Sequence, residues 1–148
     1  GMATTLDIGE TADIHPKNKQ DVGHRLALWA LGKVYGQHVD SVCGPLPAGH
    51  VVKGEEVVCS FTHADGGLVA RGGELSGFVI AGADQAWQPA VARIVGATVV
   101  VSSPAVKVPV AVRYAWAANP TATLFNGAGL PASPFRTDDF DLPAVQAR

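Results

Sequence analysis

Asp13 and His15, in the stretch Asp13-Ile14-His15-Pro16, put a carboxylate and an imidazole two positions apart. An imidazole titrates near neutrality, so it can take a proton from a hydroxyl and return it to a leaving group, while a carboxylate fixes its tautomer and stabilises the cation. His15 is therefore a candidate general base and Asp13 its orienting acid. The plainer reading is local: Asp and His are ordinary residues at the start of a helix, where side chains meet unpaired backbone groups.

Other residues carry weaker signals. His24 follows His15 by nine positions, which is no metal-ligand spacing, and His38 and His50 fall in expected loops. His63 precedes the Asp65-Gly66 turn and is expected to be structural. No local cluster of His, Cys and carboxylates predicts a metal, and no cofactor is expected. Cys43 and Cys59, sixteen positions apart, match no metal or redox motif and are expected as buried free thiols. Trp87, Trp116 and Phe125 could stack on a sugar ring. Trp87, near polar Gln85 and Gln88, is the better binding candidate, because Trp116 is in phase with Val110, Val112 and Tyr114 on an apolar face and is expected in the core. Arg113 and Arg136 could pair with a carboxylate, although an ion pair with Asp138 or Asp139 is the simpler account of Arg136.

The elements that must position these residues divide near Gly36. A helix is predicted over 17–35, with His15 as N-cap, Pro16 at the first helical position and Gly36 after the last turn. Val22, Leu26, Trp29 and Ala30 make one apolar stripe on it, and Leu28, Leu31 and Tyr35 a second, which wants cover on more than one side. Beyond Gly36, "EVVCSFTHA", "GLVARG", "SGFVIAG", "AVARIVG", "ATVVVSS" and "VPVAVRYAW" read as short strands. Links of two to four residues favour antiparallel hairpins, with turns at Asp65-Gly66 and Gly96. The predicted fold is mainly β: an antiparallel β-sandwich of about six to eight strands, preceded by one long helix. After Ala117 the chain is expected as ordered loop, and over 141–148 as a frayed tail.

With 148 residues and 47% hydrophobic content, the chain has enough apolar surface for a core. Eleven Lys and Arg against thirteen Asp and Glu give a net charge of −2, which offers no general field for nucleic acid or an anionic membrane. No apolar run approaches the roughly 20 residues of a membrane span. Gly1 before Met2 reads as a residue left by tag removal, so the compartment stays open, periplasmic or secreted if a signal peptide has been lost.

"DIGETADIHPKNKQDVGHRLALWAL", "GGLVARGGELSGFVIAGAD", "VVVSSPAVKVPVAVRYAWAANP" and "NGAGLPASPFRTD" together resemble the C-terminal part of sialate O-acetylesterases, of the SGNH-type esterase superfamily. The resemblance covers most of residues 6 to 138 and implies a larger enzyme with an α/β hydrolase-like core and accessory β domains, removing O-acetyl groups from sialic acids. It implies that residues 1–36 are the end of the catalytic domain, the helix being its last, and that 37–140 are an accessory sandwich. His15 matches the family's late catalytic histidine. The family's acid stands three before it, and here that position is Ala12, so Asp13 is the available carboxylate, with Glu10 as a poorer substitute.

Ser41, Ser60, Ser76, Ser102, Ser103 and Ser133 all lie after residue 40, and none stands in a Gly-Asp-Ser or G-x-S-x-G block. Without a nucleophile and oxyanion donors the chain alone is expected to be inactive or nearly so. The rival expectation is a non-catalytic β-sandwich that binds carbohydrate or a partner. On either view the apolar helix must fold back on the sandwich or pair with its copy in a homodimer, the latter slightly favoured.

Overall fold

Alternating Val, Ile and aromatic residues between glycine turns build two antiparallel sheets in the computed structural model, which describes residues 1–141. Beyond Asp141 the expected frayed tail lies outside the described residues. The first sheet has the order β1-β2-β7-β6, from Leu46–Lys53 (β1), Glu56–Thr62 (β2), Thr98–Ser102 (β7) and Val91–Val95 (β6). The second has the order β10-β8-β4-β5, from Phe135–Arg136 (β10), Ala111–Tyr114 (β8), Phe78–Ala81 (β4) and Gln88–Pro89 (β5). Leu68–Ala70 (β3) and Leu124–Asn126 (β9) form a separate antiparallel pair.

Period-two side chains of both sheets meet in one core. Val57, Cys59, Val99 and Val101 from the first sheet join Phe78, Ile80, Val112, Tyr114 and Phe135 from the second. The expected mainly-β fold with a preceding helix is what the chain adopts. Gly54 and Gly96, both at positive φ (60° and 58°), close the β1–β2 and β6–β7 hairpins. Asp65-Gly66 is a turn but joins no hairpin, since β2 pairs with β1 and β7 while β3 pairs with β9.

Two expectations about strands are corrected. The segment after Ala117 is not all loop, because β9 and β10 lie in it and pair with β3 and β8. Each is only two or three residues long, too short to show a period. His50 is not in a loop but in β1, paired opposite Cys59. Pro47 and Gly49 hide that strand in the sequence, and the register shifts between them as a bulge allows.

The helix is also corrected. It runs Lys19–Trp29 (α1) and ends in a π-helical turn, Ala30–Val34, before Gly36 at φ 65°. Its N-cap is Asn18 rather than His15: the Asn18 side chain accepts from the Asp21 N–H (3.1 Å) and donates to the Asp21 carboxylate (2.8 Å). Lys17 N–H is drawn instead to the Glu10 carboxylate (2.9 Å), so the helix starts later and His15 stays outside it. Within α1 only Arg25 is buried, while Leu26 is 48% exposed. Cover on the Trp29 side comes from the chain's own first residues, the Trp29 indole N–H donating to the Met2 carbonyl (2.9 Å).

Candidate functional site

Residues 8–18 form the loop that holds the predicted pair. Asp13 N–H donates to the Glu10 carbonyl (3.3 Å), which closes a turn between them. One Asp13 carboxylate oxygen then accepts from the His15 backbone N–H (2.8 Å) and stands 3.6 Å from its Nδ1. The His15 side chain is 85% exposed and that of Asp13 is 44% exposed. The imidazole is thus open to solvent and near the carboxylate, at a distance longer than a hydrogen bond, so the backbone of His15 is fixed by Asp13 while its ring is not. Glu10 is committed elsewhere, to the Lys17 N–H and, at 3.6 Å, to its ammonium. Of the two carboxylates read from the sequence, Asp13 is the one beside the imidazole.

The loop is fixed at both flanks. Arg25 forks onto Asp7 with two hydrogen bonds (2.6 and 2.7 Å) and also donates to the Thr4 carbonyl (2.6 Å). Burial alone would raise the Asp7 carboxyl, but the hydrogen bonds and charge of Arg25 outweigh it and hold the group below the usual range. On the other side Asn119 donates its amide to Thr11 Oγ1 (3.2 Å), tying the loop to the segment after β8. Sequence reasoning missed Arg25. Its signal was a cation interrupting the apolar stripe of Val22, Leu26 and Trp29, a position where an arginine needs a buried acid.

No serine hydroxyl is bonded to His15 among the described residues. Ser41 is buried, its hydroxyl within hydrogen-bond reach of the Asp65 carboxylate (2.6 Å) and the Cys43 carbonyl (2.8 Å), and Ser133 is paired with Thr4 (2.8 Å). Nor does any group of three His, Cys, Asp or Glu among these residues fit a metal ion. No helix among them is long and apolar enough to cross a membrane. Cys43 and Cys59 are free thiols; Cys59 is buried and its thiol is pushed up to about 12 by desolvation, whereas Cys43 is only half-buried.

The aromatic and arginine candidates fall differently from expectation. Arg113 is spent on Asp138, with two hydrogen bonds (2.9 and 2.7 Å), and its guanidinium lies over the Trp87 ring at 4.1 Å. Trp87 also meets Phe140, so the side chain expected to bind is engaged by its own neighbours. Arg136 reaches Asp138 (3.7 Å), which agrees with the ion-pair account. Phe125 is 2% exposed beneath Arg71. Trp116, expected in the core, is 46% exposed. The cause is Ala115, whose φ of 51° breaks the alternation that buries Val112 and Tyr114.

No protein-family model matches the chain, and no curated protein matches it. Among solved structures, the crystal structure of a novel carbohydrate acetylesterase from Xanthomonas citri is similar, with a TM-score of 0.89 and 48% sequence identity. The likeness covers 93% of this chain and 32% of that one, so the chain spans about a third of its relative's length. Identity at this level over nearly the whole chain supports an esterase-related family.

Proposed function

We propose that the chain supplies the histidine and acid of a carboxylic ester hydrolase that removes acetyl groups from sugars, with O-acetylated sialic acid as the favoured substrate. The observation that supports it best is the exposed His15 imidazole, held 3.6 Å from Asp13, in a chain 48% identical to part of a carbohydrate acetylesterase. In this reading residues 1–36 belong with the catalytic part and 37–140 form an accessory β-sandwich.

His15 takes the proton of an attacking serine hydroxyl contributed by polypeptide outside this chain. The serine oxygen bonds to the acetyl carbon, and His15 returns the proton to the sugar oxygen as the ester bond breaks. Water then attacks the acetyl-serine, losing its proton to the same imidazole, which passes it back to the serine as acetate leaves. Asp13, 3.6 Å from Nδ1, stabilises the protonated ring by its charge and orients it once the two close to hydrogen-bond distance. In this reading the serine and the oxyanion donors belong to the rest of the enzyme, so the chain alone is expected to turn over little.

The test is hydrolysis of an aryl acetate and of an O-acetylated sialic acid by the chain alone and after mixing with the remainder of the Xanthomonas citri enzyme. Turnover should appear only on mixing, and His15→Ala should lower it by about 10²- to 10⁴-fold. Equal turnover by the mutant would overturn the assignment.

A further inference from the structure

Trp116 sits where the alternation of β8 should have buried it. Val112 and Tyr114 are fully buried, and the next residue in phase would follow them into the core. Ala115 prevents this. It is itself buried and its N–H donates to the Gly77 carbonyl (2.8 Å), yet its φ of 51° lies in the left-handed region that residues with a Cβ seldom occupy. That strained residue turns a large apolar side chain out into water.

Around the indole is a shallow groove lined by Leu6, Ala115, Trp116, Ala117, Ala118 and Pro134, with no charged side chain among them. Three alanines leave the ring unobstructed. Arg136 stands over one face of the ring at 5.8 Å, itself bound to the Phe140 carbonyl (3.1 Å) and to Asp138, which leaves the other face for a ligand. The groove also belongs to the same loop cluster as His15: Leu6 precedes the anchored Asp7, and Asn119, three residues beyond Trp116, is bonded to Thr11 on the histidine loop.

We propose that Trp116 is a stacking platform for the pyranose ring of an acetylated sugar, placed beside the loop that carries His15. The proposal rests on the acetyl-ester reading above for its substrate class. An aromatic face is electron-rich, and the axial C–H groups on one side of a pyranose are weakly positive, so the two stack while the sugar hydroxyls stay in water. Arg113 sits closely on Trp87 (4.1 Å) and Arg71 on buried Phe125 (3.7 Å), whereas Trp116 is 46% exposed and its arginine, Arg136, stands farther off at 5.8 Å.

The experiment is a titration of the full chain, ¹⁵N-labelled, with methyl 6-O-acetyl-β-D-glucopyranoside and, in a second arm, with the methyl glycoside of 9-O-acetylated sialic acid. The indole N–H resonance of Trp116 should move saturably with at least one sugar, while those of Trp29 and Trp87 stay in place. Trp116→Ala should weaken binding about tenfold and Trp116→Phe much less, with unchanged circular dichroism. No movement of the Trp116 resonance with either sugar up to about 50 mM, or equal affinity in the alanine variant, overturns the proposal. The readout is independent of turnover: sugar binding at Trp116 without aryl acetate hydrolysis on mixing would sink the esterase reading and leave the platform, and the reverse result would do the opposite.

Discussion

His15 and Asp13 can be separated from their neighbour Glu10 by chemistry, because the three side chains have different partners. Asp13 faces the imidazole, whereas Glu10 serves Lys17. Asp13→Asn should therefore lower aryl acetate turnover in the mixed enzyme by about a hundredfold, the amide no longer stabilising the imidazolium. Glu10→Gln should change it only a few-fold, read from initial rates near neutral pH. Larger loss with Glu10→Gln would reassign the acid. At this scale the sequence was legible for the pair, since two residues so close in the chain cannot be far apart in space. It was not legible for Trp116, whose exposure depends on one dihedral angle at Ala115, nor for Arg113, whose partner Asp138 is distant in sequence.

Short apolar runs bounded by turn residues, such as β2 and β7, were readable as strands, although only β2 alternates in burial while Val99, Val100 and Val101 of β7 are all buried. Others were not, because their partners decide them: β9 and β10 exist by pairing with β3 and β8. The start of the helix was misread for a related reason, a side chain of the preceding loop, Glu10, having captured Lys17 N–H and left Asn18 to cap. Close approach between loops is equally invisible in sequence. Gly44 lies against Pro131, and a Cβ there would collide with the Pro131 carbonyl and stand 2.8 Å from that of Leu130. Both obstacles are backbone, so relief requires a loop to move. Gly44→Ala should destabilise the chain by roughly 1 to 3 kcal/mol, seen as a lower denaturation midpoint at unchanged slope. A neutral result would mean that the two loops are not in contact.

Two little-exposed ion pairs among those that join distant parts of the chain matter most here: Arg25 with Asp7 secures the first residues to the helix, and Arg113 with Asp138 secures the last described ones to the second sheet. Both acids are nearly inaccessible, the Asp138 side chain being 0% exposed and that of Asp7 11%. The Arg113 hydrogen bonds hold the Asp138 carboxyl below the usual range against the opposing effect of burial, and Asp7 is lowered likewise by Arg25. Both groups therefore bind protons more weakly folded than unfolded. The stability they contribute is complete above the unfolded value of about 3.9 and is lost as pH falls through their lower folded values. Thermal midpoints should accordingly vary little with these two groups between about pH 7 and 5 and fall below about pH 4. Asp138→Asn leaves Arg113 without its charge partner and should cost about 3 to 5 kcal/mol at neutral pH, while flattening the acid limb of the profile. Replacing both partners, Arg113→Met with Asp138→Leu, should recover part of that loss, because the buried Arg113 charge is then no longer left alone, while the more exposed Arg136 and the Phe140 N–H still lose Asp138. An Asp138→Asn profile parallel to that of the parent chain through the acid range would show that this pair does not couple protonation to folding.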